Sequence, residues 1–90
     1  MLTVFFNRIE NDPRISTAHI GLYVSLFSLW ERQGASGPLE MFSRQIMPAA
    51  KISSCATYVR LMHDLDELRY VRYEPCFYKR KASRIRLTGF

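Results

Sequence analysis

Lys79, Arg80, Lys81, Arg84 and Arg86 place five cationic side chains within eight positions, a density suited above all to neutralising phosphate. From 69 to 90 the chain carries seven of its 13 Lys and Arg against one acid, Glu74. The residues before that stretch carry six basic and seven acidic side chains, so the body is close to neutral and the excess charge is local. A neutral body with one cationic segment implies a polyanionic partner, nucleic acid above others.

The other reactive side chains form no catalytic or metal set. His19 and His63 make neither a triad nor a ligand cluster at this spacing. Cys55 and Cys76 lie 21 positions apart with no second Cys near either, which fits neither zinc nor a redox pair and predicts free thiols, buried or half-buried. Asp64, Asp66 and Glu67 end a helical run on its polar side, against the helix dipole, and are expected to face solvent or to keep DNA from that end. There is no Gly-rich phosphate loop and no nucleophile motif. The expectation is a binding protein, not an enzyme, with no cofactor and no metal.

These side chains must be held by a small fold. Ninety residues at 48% apolar and 13% aromatic are enough for one core and leave no room for a second, so 1–90 is expected to be a single domain. The longest apolar stretch, 20–30, is interrupted by Gly21, Ser25 and Ser28, well short of the roughly 20 residues that cross a bilayer. The start, Met1-Leu2-Thr3-Val4, lacks the pattern of a secretory leader, so a soluble cytoplasmic protein is expected.

Periodicity predicts the elements. Phe5, Phe6 and Ile9 suit a helix over 2–11, ended by Asn11-Asp12-Pro13. Ser16 or Thr17 caps a longer helix over 16–33, with Ile20, Tyr23, Val24, Phe27 and Trp30 as its apolar stripe, Leu26 a further candidate, and Gly34 at its exit. Leu39-Glu40-Met41 alternates as a very short strand. Ser43 caps a helix over 43–50, kept short by Pro48. After the turn at Lys51, a helix over 53–68 starts at Ser53 or Ser54 and turns Tyr58, Leu61, Met62, Leu65 and Leu68 inward. A hairpin over 70–88 follows, with Val71, Tyr73, Ile85 and Leu87 inward and the basic tip between its strands. The fold class is mainly α with a small antiparallel sheet.

This order resembles a winged helix-turn-helix domain with an extra N-terminal helix. The resemblance is most specific where Ile52-Ser53 supplies the turn and cap, Thr57-Tyr58, Leu61-Met62, Leu65 and Leu68 fill the middle, and Tyr70-Val71 opens the strand. The chain is also similar to small stand-alone winged-helix proteins of bacterial mobile genetic elements. The similar stretches include Phe5-Phe6-Asn7-Arg8-Ile9, Asp12-Pro13-Arg14, His19-Ile20-Gly21-Leu22-Tyr23 and Ser83-Arg84-Ile85. Arg69 and Ala82 occupy places where such proteins commonly have Gly; at Arg69 a left-handed cap costs roughly 1 kcal/mol.

The resemblance implies double-stranded DNA binding, with the 53–68 helix in the major groove. Arg60 is then the candidate base reader, since its fork matches both acceptors of guanine. Ser53, Ser54 and Thr57 hold phosphates or read a base weakly. Lys51 and Arg44 contact the backbone, while Lys79, Arg80, Lys81, Arg84 and Arg86 follow the flanking phosphates or enter the minor groove. The implied role is a transcriptional regulator or accessory factor of a mobile element. The alternatives are a protein–protein adaptor on the same scaffold and an excisionase-like factor that bends DNA. Phe5, Phe6 and Ile9 with Tyr23, Phe27 and Trp30 offer apolar surface for a homodimer that would read paired half-sites. No small-molecule ligand is expected.

Overall fold

The structure is a computed structural model that describes residues 2–74 and 83–87. Their order is α1 (Leu2–Ile9), α2 (Thr17–Arg32), β1 (Leu39–Met41), α3 (Ser43–Ala49), α4 (Cys55–Glu67), β2 (Val71–Glu74) and β3 (Ser83–Leu87). The chain is mainly helical with one small antiparallel sheet, in a winged-helix-like arrangement with a helix in front. No described helix is long and apolar enough to cross a membrane.

Helices α2, α3 and α4 start where a side chain satisfies a backbone N–H. Ser16 caps α2 and Ser54 caps α4, its Oγ accepting from Thr57 N–H at 3.3 Å. The expected cap at Ser43 is instead the first residue of α3. Phe42 takes the cap position, and Gln45 Oε1 reaches back to accept Phe42 N–H at 2.9 Å. Ser53 lies in the turn ahead of α4, outside the helix.

Three helices close in one way. After α2, Ala35 N–H bonds Trp30 O and Gly34 N–H bonds Glu31 O; after α3, Ile52 bonds Met47 and Lys51 bonds Pro48; after α4, Tyr70 bonds Leu65 and Arg69 bonds Asp66. This paired pattern needs a left-handed residue just past the helix, and φ is 102° at Gly34, 59° at Lys51 and 65° at Arg69. Lys51 and Arg69 do without glycine what Gly34 does with it. The left-handed Arg69 is the conformation expected from its place in the sequence.

The core lies where α2, α4, α1 and the sheet meet. Leu22, Leu26, Ile46, Leu61, Met62, Leu65 and Ile85 are completely buried. Tyr58, Leu61, Met62 and Leu65 make the predicted inner stripe of α4. On α2 the expected stripe is turned by one position: His19, Leu22, Tyr23, Leu26 and Phe27 are buried, while Ile20, Val24 and Trp30 are only half-buried. His19 is the polar member of this buried face and has hydrogen-bond partners at Ser16 and Asp64.

The sheet order is β1-β3-β2, with Leu39 opposite Ile85, and Val71 and Tyr73 opposite Leu87 and Ile85. Val71 and Ile85 are buried and Tyr73 and Leu87 half-buried, so this face packs inward as predicted. Helix α1 is fixed by aromatic contact. Phe5 stacks flat on Tyr23, with centroids 3.7 Å apart and planes within 5°, and stands edge-on to Tyr70 at 5.4 Å. Much of the aromatic surface expected at a homodimer contact is therefore inside the fold, and among the described side chains of α1 the exposed large apolar ones are Val4 and Phe6.

Candidate nucleic-acid interface

Helix α4 has a buried face and an open one. Ala56, Arg60 and His63 are exposed, one helical turn apart, opposite the Tyr58, Leu61 and Leu65 side. At its N-terminal end, Lys51, Ser53, Ser54 and Thr57 meet Thr17 and Gly21 of α2 around a groove of about 330 Å³. The left-handed backbone at Lys51 lets the chain enter α4 without a longer loop, so an ammonium and three hydroxyls share one edge. Ser54 Oγ is engaged as a cap acceptor, and its O–H remains a donor.

The strands stand beside this helix. Tyr70 N–H bonds Leu65 O at 2.9 Å, Tyr73 N–H bonds Asp66 Oδ1 at 3.2 Å, and the Tyr73 ring sits edge-on to His63 at 6.0 Å. Strand β2 thus runs back along α4, towards the half that carries Arg60. Arg44, at the start of α3, is exposed and lays its guanidinium 4.2 Å from the centre of the Phe42 ring.

The described cations of the hairpin are partly neutralised. Arg84 Nη2 lies 3.1 Å from Glu40 Oε1 on β1, and Arg72 Nε lies 3.6 Å from Glu74 Oε1. Arg86 sits directly across the ladder from Arg72, a like-charge pair that destabilises a free sheet. Lys79, Arg80 and Lys81, with Phe77, Tyr78, Cys76 and Ala82, lie outside the described residues. Cys55 is exposed at the first turn of α4, not buried as expected.

No family model, curated protein or solved structure matches this chain.

Two networks escape a reading of the sequence. The first is a string through His19. Ser16 N–H donates to His19 Nδ1 at 3.0 Å, Ser16 Oγ lies 2.7 Å from the same nitrogen, and His19 Nε2 lies 2.8 Å from Asp64 Oδ2. With Nδ1 accepting, the ring proton belongs on Nε2, which donates to Asp64. The imidazole takes the role of Glu in a Ser-x-x-Glu capping box and extends it to α4. The serine, imidazole and carboxylate stand in hydrogen-bonded sequence, but the serine caps a helix and the imidazole is buried at 5% exposure. The capping-box spacing was the available signal for half of this string; the partner 45 residues away was not.

The second network joins Asp12, Arg14 and Tyr70. Arg14 donates to Asp12 through its backbone N–H at 3.0 Å, Nε at 2.9 Å and Nη2 at 3.2 Å, while Tyr70 Oη donates to Asp12 Oδ2 at 2.9 Å. These bonds, Arg14's first, hold the Asp12 carboxyl down to about 2. Burial and the adjoining carboxylate push the Tyr70 phenol up. Of the acidic cluster on α4, Asp64 serves His19 and Asp66 serves the Tyr73 N–H at the free edge of β2. Only Glu67 is exposed, as expected for all three.

Proposed function

We propose that this chain binds double-stranded DNA, with α4 as the helix that enters the major groove and the β2–β3 hairpin as a flanking contact. The observation that carries this reading is the seat of β2 along α4, where Tyr73 meets His63 on the same side as Arg60. One duplex laid along that side would meet Arg60 and the Lys51, Ser53, Ser54 and Thr57 edge together. The local charge supports it, since the acids of α4, Asp64, Asp66 and Glu67, all fall in its C-terminal third, away from Arg60 and the turn at Lys51.

In this arrangement Arg60 reads a base edge, Lys51, Arg44 and Arg86 neutralise phosphates, and the hydroxyls of Ser53, Ser54 and Thr57 fix the register. The role that suits such a domain is transcriptional regulation or accessory service to a mobile element.

A fluorescence titration of labelled duplex against salt tests this. With about five phosphates neutralised, the logarithm of affinity should fall with that of salt at a slope of roughly −4 to −5. Changing Lys79, Arg80 and Lys81 to Ala should flatten the slope by about 2 to 3, whereas Arg60→Ala should relax sequence choice. Binding that is absent, or indifferent to salt, would sink the proposal and favour a protein adaptor.

A further inference from the structure

Arg8, Asp12, Arg14 and Tyr70 build a second cationic site at the other end of α4, where Leu68 closes the helix. Arg8, in the last turn of α1, sits over the Tyr70 ring with its guanidinium carbon 4.4 Å from the ring centre. The same Tyr70 is anchored through its hydroxyl to Asp12, and Asp12 to Arg14. Both oxygens of that carboxylate are engaged and its side chain is only 8% exposed, while Arg14 is 68% exposed. Around them opens a notch of about 530 Å³, walled also by Asn11, Pro13 and Leu68.

The notch offers guanidinium donors and lacks a free carboxylate among the described residues. The one carboxylate in its wall is committed to Arg14 and Tyr70, and Arg8 has no ion-pair partner among the described residues. A guanidinium held over an aromatic ring has already lost much of its freedom and still has its N–H donors for a bidentate acceptor.

Two features choose between anions. Asp64 and Glu67 border the adjoining hollow beside Arg14 and Leu68, and the C-terminal end of α4 adds its own negative pole. A duplex carrying a phosphate charge every ~1.7 Å of axis would be repelled there; a single carboxylate would not. Pro13 and Leu68 supply apolar wall for an aliphatic neighbour. We propose that this notch binds a single carboxylate side chain, flanked by aliphatic residues, in a segment of a partner protein. It is independent of DNA binding and would let a domain engaged through α4 hold a protein at its opposite end.

The full chain titrated with an end-capped peptide carrying one Glu between two Leu in a Gly-Ser frame tests this, followed by the Nε–H signals of its arginines in NMR. Arg8 and Arg14 should shift saturably, with Arg60 and Arg86 unmoved and the Gln counterpart of the peptide inert. Arg8→Gln should weaken binding roughly tenfold, and Arg8→Lys nearly as much, because charge without the planar fork is insufficient. Uniform shifts at all arginines, full affinity in Arg8→Lys, or displacement of the peptide by duplex DNA would each overturn the proposal. Arg8 is exposed, so both variants are expected to fold, and unchanged thermal melting checks it.

Discussion

Asp12 shows how one residue reports on the join between α1, α2 and the sheet. Its folded value of about 2 lies below the roughly 3.9 of an unfolded aspartate, so the ionised form favours the folded chain. That contribution is present in full above about pH 4 and is lost as pH falls from there through 2. Denaturant midpoints between pH 2 and 6 should therefore drop more steeply for the natural chain than for Asp12→Asn, with the two curves converging at the acid end. Parallel curves would show that Arg14 and Tyr70 do not hold this carboxylate in solution. None of this was visible in the sequence. Asp12-Pro13 was legible as a helix stop, but the Tyr70 hydroxyl that fixes it comes from 58 positions away. Likewise His19 is apolar-facing only because Asp64 is there to receive it. Local spacing carries caps and stops; it does not carry long-range polar pairs.

Element boundaries were easier to read, for a physical reason. On α4 the apolar residues fall on one stripe with polar ones between them, so the period alone fixes the inner face. On α2 apolar residues cover more of the circumference, from Ile20 and Leu22 through Leu29 and Trp30, and several stripes fit equally well. The structure selects the one containing His19. The turn at Lys51 poses a trade between fold and function. Its φ of 59° is costly for a residue with a Cβ, by roughly 1 kcal/mol. Lys51→Gly should therefore stabilise the fold, by up to about 1 kcal/mol after allowance for the extra freedom of glycine in the unfolded chain. The same change removes an ammonium from the proposed DNA edge, so affinity should fall and the salt slope should flatten by about 1. Thermal melts and DNA titrations on one variant would then move in opposite directions. A destabilised variant would mean that the lysine side chain has packing work in this turn.

At the scale of the whole molecule, β1 links the front of the chain to the charge at its end. Glu40 stands opposite Arg84 in the ladder and pairs with its guanidinium at 3.1 Å, with the two side chains 56% and 49% exposed. The charge of that arginine was plain in the sequence, but its neutralisation was not, because a three-residue strand gives no sign of which edge it joins. An exposed pair of this kind contributes little to stability, between zero and about 1 kcal/mol. Its larger effect is on what Arg84 is free to do. If the hairpin lies against DNA, phosphate and Glu40 compete for one guanidinium, and the carboxylate also repels the approaching backbone. Glu40→Gln should then bind duplex more tightly than the natural chain and steepen the salt slope by up to about 1, with thermal stability almost unchanged. Arg84→Gln should lose correspondingly less affinity than Arg86→Gln, since Arg86 faces another cation, Arg72, and is the less neutralised of the two. Identical titrations for the natural chain and Glu40→Gln would place this side of the sheet away from the duplex and confine the interface to α4 and the turn before it.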